Sequence, residues 1–72
     1  MLVYQGIDKG YLMQVFENPE PAGNWDLYYY VIIKCLQNFD YNVIGYEHIV
    51  TSGNFKTIKD AQEDASHYID TI

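Results

Sequence analysis

Cys35 and His48 are the side chains in this sequence best suited to covalent catalysis. They fall on two candidate strands that we expect to be neighbours, where a thiolate and an imidazole could act as nucleophile and base. A single cysteine in the middle of a strand is more often a small buried hydrophobic residue. We therefore predict no catalytic residues and expect that the protein is not an enzyme.

Glu63, Asp64 and His67 lie within one turn of a predicted helix and are of the types that bind divalent metal ions. Two or three exposed ligands on a single turn make only a weak site, because functional zinc sites enclose the ion more fully. The glycines are spread along the chain and form no phosphate-binding loop. We therefore expect neither a metal ion nor another cofactor.

The composition predicts one small, folded, acidic domain over residues 1–72. Hydrophobic residues make up 49% of the chain and aromatic residues 17%, which is too apolar for a disordered segment. Ten acidic residues against four lysines give a net charge of -6, and the chain contains no arginine. Because phosphates would be repelled, direct binding to nucleic acid is disfavoured.

The sequence also predicts where the protein resides. The longest apolar run, residues 27–33, is far shorter than the roughly 20 residues of a membrane helix. The first ten residues have no secretory signal pattern. Cys35 is the only cysteine, so no internal disulfide forms, which suits a reducing compartment. We expect a cytoplasmic protein with no membrane partner.

Four segments have the composition of strands and are separated by turn residues. The first two are joined by a tight turn at Gly10, and a loop with two prolines, residues 18–24, follows them. The other two form a hairpin with Asp40 and Tyr41 as its turn residues. The predicted strands are residues 2–7, 11–17, 25–39 and 43–51.

A C-terminal helix is predicted to begin after Thr57, whose hydroxyl would cap it, with Asp60 in the first turn. Its apolar stripe is formed by Ile58, Ala61, Ala65 and Ile69. Its water-facing acidic surface is formed by Asp60, Glu63, Asp64 and Asp70. The predicted fold is α+β, a three- to four-stranded antiparallel meander sheet with one C-terminal helix packed on one face.

The hairpin turn fixes which residues should lie opposite each other. It places Lys34 opposite Glu47, and by the same register it gives the pairs Cys35 with Tyr46, Ile33 with His48 and Val31 with Val50. The helix is expected to cover the face formed by Tyr29, Val31, Ile33, Cys35, Ile44, Tyr46 and Val50. The uncovered face, predicted as the partner-binding surface, consists of Tyr28, Tyr30, Ile32, Leu36 and Ile49.

Two surfaces are therefore candidates for binding. Aromatic residues on an open sheet face are typical of binding hot spots, for a foreign protein or for a second copy in a homodimer. Alternatively, these tyrosines are ordinary strand residues and the register is shifted by one. The acidic helix surface could fit the basic groove of a nucleic-acid-handling protein, or it could simply keep the protein soluble.

The segment from Tyr46 to Ile72 contains a strand, a glycine turn at Gly53 and a Thr-capped, alanine-bearing helix, KTIKDAQEDASHYID. This order resembles half of the partial double-stranded-RNA-binding-like domains found in HicB-type antitoxins. The resemblance implies an antitoxin-like partner of a basic toxin, although the Pro-Gly turn, Gly-Cys segment and DNA-binding extension of that family have no counterpart here. In size and acidity the chain is similar to phage-encoded anti-CRISPR proteins, which implies an anti-defence inhibitor.

Taken with the absence of a catalytic pattern, these features predict a non-catalytic protein-binding inhibitor or regulator that acts by surface occlusion. Its most concrete form is an acidic, anti-CRISPR-like anti-defence protein. An antitoxin-like partner of a toxin and a small accessory subunit of a housekeeping assembly remain the alternatives.

Overall fold

A computed structural model describes all 72 residues as a single sheet with one helix. The four strands are antiparallel and lie in the order β1-β2-β3-β4, so each strand pairs with the next one in the chain. The predicted α+β meander with a C-terminal helix is confirmed. The elements are β1 (Leu2–Asp8), β2 (Tyr11–Glu17), β3 (Tyr28–Gln37), β4 (Val43–Thr51) and α1 (Ile58–Thr71).

The turn between β1 and β2 depends on backbone conformations that few residues adopt. Lys9 has a φ angle of 51° and Gly10 a φ angle of 82°. Two central residues with positive φ match the twist of the flanking strands, which is why glycine is favoured there. The tight turn predicted at Gly10 is confirmed.

Helix α1 begins as predicted, because the Thr57 hydroxyl accepts a hydrogen bond from the Asp60 backbone N–H at 3.0 Å. The helix then packs across β1, β2 and β3. The core between helix and sheet consists of Met13, Val15, Tyr30, Ile32, Ala61, Ala65 and Ile69. The helix is neither long enough nor apolar enough to span a membrane.

The predicted hairpin register is correct over the middle of β3 and β4 and wrong beyond it. Lys34 lies opposite Glu47, and the pairs Cys35 with Tyr46 and Ile33 with His48 are also confirmed. The register then shifts by one residue, so that Val50 pairs with Ile32 rather than with Val31. An extra residue in one strand, a β-bulge, is the physical cause, and a turn-based register cannot anticipate it.

The assignment of the two sheet faces was inverted. Tyr30 and Ile32, predicted on the uncovered face, are 3% and 0% exposed and lie beneath the helix. Tyr28 and Ile49 are half-buried against the same core, and only Leu36 of that predicted set is exposed. The predicted core residues that lie outside the actual core are Tyr29, Val31, Ile33, Ile44 and Tyr46.

The Lys34–Glu47 pair explains the inversion. A charged pair normally marks the solvent face of a half-covered sheet. Here the pair shares a side with buried Ile32, but the helix packs across β1, β2 and β3 and makes no contact with β4, the strand that carries Glu47. The last turn of α1 lies near the β1–β2 turn, where Asp70 pairs with Lys9. The charged pair therefore stays in water on the side that the helix covers.

Candidate protein-binding surfaces

One whole side of the sheet has no second layer over it. We call this side, which points away from α1, the open face. Its position follows from the strand register, and two side-chain contacts agree with it: Gln14 donates to Gln5, and Phe16 stacks on Tyr29. The open face comprises Leu2, Gln5, Ile7, Leu12, Gln14, Phe16, Tyr29, Val31, Ile33, Cys35, Gln37, Val43, Tyr46, His48 and Thr51.

The open face carries no acidic residue and no lysine, although the protein has a net charge of -6. Every charged residue within the strands lies on the helix side instead, namely Asp8, Glu17, Lys34 and Glu47. This departs from the usual pattern, in which the uncovered face of an antiparallel sheet is polar. An uncovered apolar face of this extent indicates an interface.

The shape of the open face differs between its two ends. At one end lies a groove of about 460 Å³, whose lining includes Ile7, Leu12, Cys35 and Tyr46. At the other end the rings of Phe16 and Tyr29 are stacked, with centroids 5.3 Å apart and an interplanar angle of 18°. The open face therefore has a depression at one end and an aromatic pair at the other.

A second exposed surface is the end of the β3–β4 hairpin, residues 38–42, which we call the hairpin tip. Phe39 is fully exposed and Tyr41 is 81% exposed. The flanking residues Leu36 and Ile44 are exposed as well. Two aromatic rings at a protruding turn contribute nothing to the core, and aromatic anchors of this kind are enriched at binding hot spots.

The hairpin tip is held in one conformation by the side chain of Asn38. Its Oδ1 accepts hydrogen bonds from the backbone N–H groups of Asp40 and Asn42, at 2.9 and 3.0 Å. The Asn38 backbone also donates to the Asn42 carbonyl and accepts from the Tyr41 N–H. Tyr41 sits at a φ angle of 61°, in the left-handed region. The two rings are thus carried on a preformed turn, which reduces the entropy lost on binding.

The acidic helix surface is largely engaged within the chain. Asp70 pairs with Lys9 at 2.6 Å, and Asp64 accepts a hydrogen bond from the Tyr30 hydroxyl at 2.7 Å. Glu63 lies 3.8 Å from Lys59, one turn away on the helix. The predicted surface exists, since Asp60, Glu63, Asp64 and Asp70 are all exposed. Three of its four acids nevertheless have partners within the protein.

The pair between Lys9 and Asp70 joins the first turn to the end of the helix. Its hydrogen bond, reinforced by charge attraction, raises the pKa of Lys9 and lowers the pKa of Asp70. Both groups are exposed to water, where such pairs add little stability. The pair therefore positions the end of the helix over β1 rather than offering Asp70 to a basic partner.

Tyr30 gives the protein a specific dependence on alkaline pH. Burial, together with the hydrogen bond to Asp64, raises the pKa of Tyr30 above its ordinary value. The unfolded chain therefore loses this proton at lower pH than the folded protein does, so stability falls as pH rises above about 10. In urea unfolding, we expect the wild type to lose stability more steeply than Tyr30→Phe between neutral pH and about pH 11. Identical pH profiles would contradict this role of the buried hydroxyl.

The residues considered for catalysis lie on the open face, and those considered for metal binding lie on α1. The His48 ring is hydrogen-bonded to the Thr51 hydroxyl at 2.8 Å, and Cys35 faces the groove of the open face. No three His, Cys, Asp or Glu side chains are grouped so that they could hold a metal ion. Glu63 and His67 instead border a shallow depression of about 420 Å³ between the helix and Tyr4.

Comparison of the chain with known protein families, characterised proteins and solved structures finds no significant match. Sequence reasoning missed the hairpin tip, although a signal was present. Phe39 and Tyr41 flank Asp40 in a turn, a place where strand-forming aromatic residues have no core to fill.

Proposed function

We propose that this protein is a non-catalytic inhibitor or regulator that binds a larger protein and occludes part of its surface with the hairpin tip. The observation that carries this proposal is the exposure of Phe39 and Tyr41 on a turn fixed by Asn38. A rigid protruding turn with aromatic anchors fits a pocket on a partner, because its binding conformation exists before contact.

The electrostatics of the hairpin tip favour a partner whose pocket has a basic rim. Asp40 lies between Phe39 and Tyr41 in the sequence, and the protein as a whole has a net charge of -6. Long-range attraction of this sign would speed association with a basic protein, whereas the rings would determine how long the complex lasts. Inhibition of a nucleic-acid-handling defence protein is the most specific form of this proposal, and it rests on small size and acidity.

The test compares wild-type protein with tip variants as bait in the lysate of the organism that encodes it. Phe39→Ala and Tyr41→Ala are expected to remove the same partner that the wild type retains, since loss of one anchor weakens binding by about 2 kcal/mol or more, roughly thirtyfold. Both residues lie outside the core, so circular dichroism should show unchanged folding.

His67→Lys is the control, because His67 is exposed and lies on α1 rather than on the hairpin. A partner kept by this control but lost by both tip variants would support the proposal. If the tip variants retain the partner as well as wild type does, binding does not use the hairpin tip. Release of the partner by moderate salt from all variants alike would instead indicate the acidic helix surface.

A further inference from the structure

We infer that the open face is the interface of a homodimer, in which two copies of this chain stack sheet against sheet. The inference is independent of the proposed function, because the hairpin tip lies beyond the region where the sheets would stack.

The absence of charge on the open face favours a second copy over a foreign protein. Interfaces with foreign partners use charged residues to steer association and to reject wrong partners, and the open face has none. Homodimer interfaces are more apolar than interfaces between different proteins. A face composed of aliphatic, aromatic and neutral polar residues is complementary to itself.

Net charge does not oppose this pairing. Two copies with a charge of -6 each repel one another in general. In the stacked dimer, however, the charged residues of the strands and the acids of α1 lie on the outer sides, separated by both sheets. Stacked sheets are about 10 Å apart. The screening length at physiological salt is about 8 to 10 Å, so repulsion between charges on the two outer sides is largely screened.

The open face is exposed over the whole width of the sheet. It extends over all four strands, the longest of which, β3, spans about 33 Å. Its exposed apolar side chains include Leu2, Ile7, Val43 and Tyr46, which are 44% to 77% exposed. Stacking would also give this small protein a second apolar layer, in addition to a core of only seven buried hydrophobic residues.

The edges of the sheet are poorly suited to the alternative of strand-to-strand pairing. The edge strand β1 has a register irregularity between Leu2 and Tyr4. The edge strand β4 has two irregularities, opposite the Ile32/Ile33 and Leu36/Gln37 steps of β3. Bulges twist an edge and interrupt its row of hydrogen-bonding groups. Association is therefore directed to the face of the sheet.

The shape of the open face determines how the two copies fit together. Leu12, in the groove, and Phe16, in the aromatic stack, are four residues apart on β2, or about 13 Å. Stacked sheets keep their strands within about 30° of alignment. A two-fold axis that runs between the sheets and across the strands, near Gln14 and Val31, would seat each aromatic stack in the groove of the other copy.

The experiment measures the mass in solution by light scattering and sedimentation, from micromolar to millimolar concentration. The wild type is expected to reach twice the 8.4 kDa of the chain. Val31→Lys would place two lysines against each other at the axis and weaken the dimer by at least about a hundredfold. Ile7→Lys would do the same at the groove, and because Ile7 is 77% exposed in the single chain, this variant should fold normally.

His67→Lys is again the control with the same added charge, and it should remain dimeric. A wild-type mass of 8.4 kDa at every concentration would overturn the inference. A dimer that survives both Val31→Lys and Ile7→Lys, each folded by circular dichroism, would place the interface elsewhere. If Val31→Lys does not fold, the Ile7→Lys result alone decides between these outcomes.

Discussion

Replacing Ile32 by alanine is expected to lower the free energy of unfolding by about 2 to 5 kcal/mol. Ile32 is completely buried between the sheet and the helix, opposite Met13 on β2. Removing its side-chain carbons leaves a cavity that the helix cannot fill, because the buried residues Ala61 and Ala65 have only methyl side chains, which cannot extend into it. A domain of this length has a total stability of only about 4 to 11 kcal/mol. The variant should therefore lose a large fraction of its total stability.

Ile33→Ala is the matched control for Ile32→Ala, since it removes the same atoms one position further along β3. Its side chain lies on the open face opposite Leu12, where it is only partly buried in the single chain. At low protein concentration we expect Ile33→Ala to lower the free energy of unfolding by about 1 kcal/mol or less. Urea unfolding monitored by circular dichroism measures both variants. Equal losses, or a larger loss for Ile33→Ala, would show that the helix covers the other face.

The stability contrast between Ile32 and Ile33 also shows what a sequence can and cannot predict about this fold. Local signals were sufficient for the elements themselves: Gly10 for the first turn, Thr57 for the helix start and the alternation of residues for the strands. Each of these depends on residues close together in the chain. That is why the order of the strands and the position of the helix in the chain were predicted correctly.

The choice of the covered face could not be made from local signals. Strand β3 is apolar on both sides, so its alternation does not distinguish them. The decision depends on which strands the helix crosses, which is a property of the packed structure. The bulge that brings Val50 opposite Ile32 is likewise set by tertiary contacts.

The inverted assignment of the two sheet faces changes one of the two predicted binding surfaces and leaves the other unchanged. The idea of an uncovered apolar sheet face holds, but its residues are those once assigned to the core, such as Tyr29 and Val31. The acidic helix surface was located correctly by helical periodicity. Its pairing with Lys9 could not be predicted, because 61 residues separate Lys9 from Asp70.

Tyr30→Ala is expected to have the largest effect of any single tyrosine substitution, and to act through folding rather than binding. The Tyr30 ring is buried and stacks on Phe55 with centroids 5.8 Å apart, while its hydroxyl donates to Asp64. Truncating a buried aromatic residue lowers stability by about 3 to 5 kcal/mol. Any loss of partner capture by this variant should therefore coincide with loss of its circular dichroism signal.

Tyr30→Phe separates the two roles that a tyrosine at this position could have. It keeps the ring and removes one hydrogen bond to an exposed carboxylate, a loss of about 1 kcal/mol. The variant should stay folded and capture the same partner as wild type. A folded Tyr30→Ala that no longer binds would contradict this assignment and return Tyr30 to the binding surface. Tyr30 and Tyr29 are neighbours on β3 and lie on opposite sides of the sheet. The comparison of Tyr30→Ala with Tyr30→Phe therefore tests both the fold and the position of the interface.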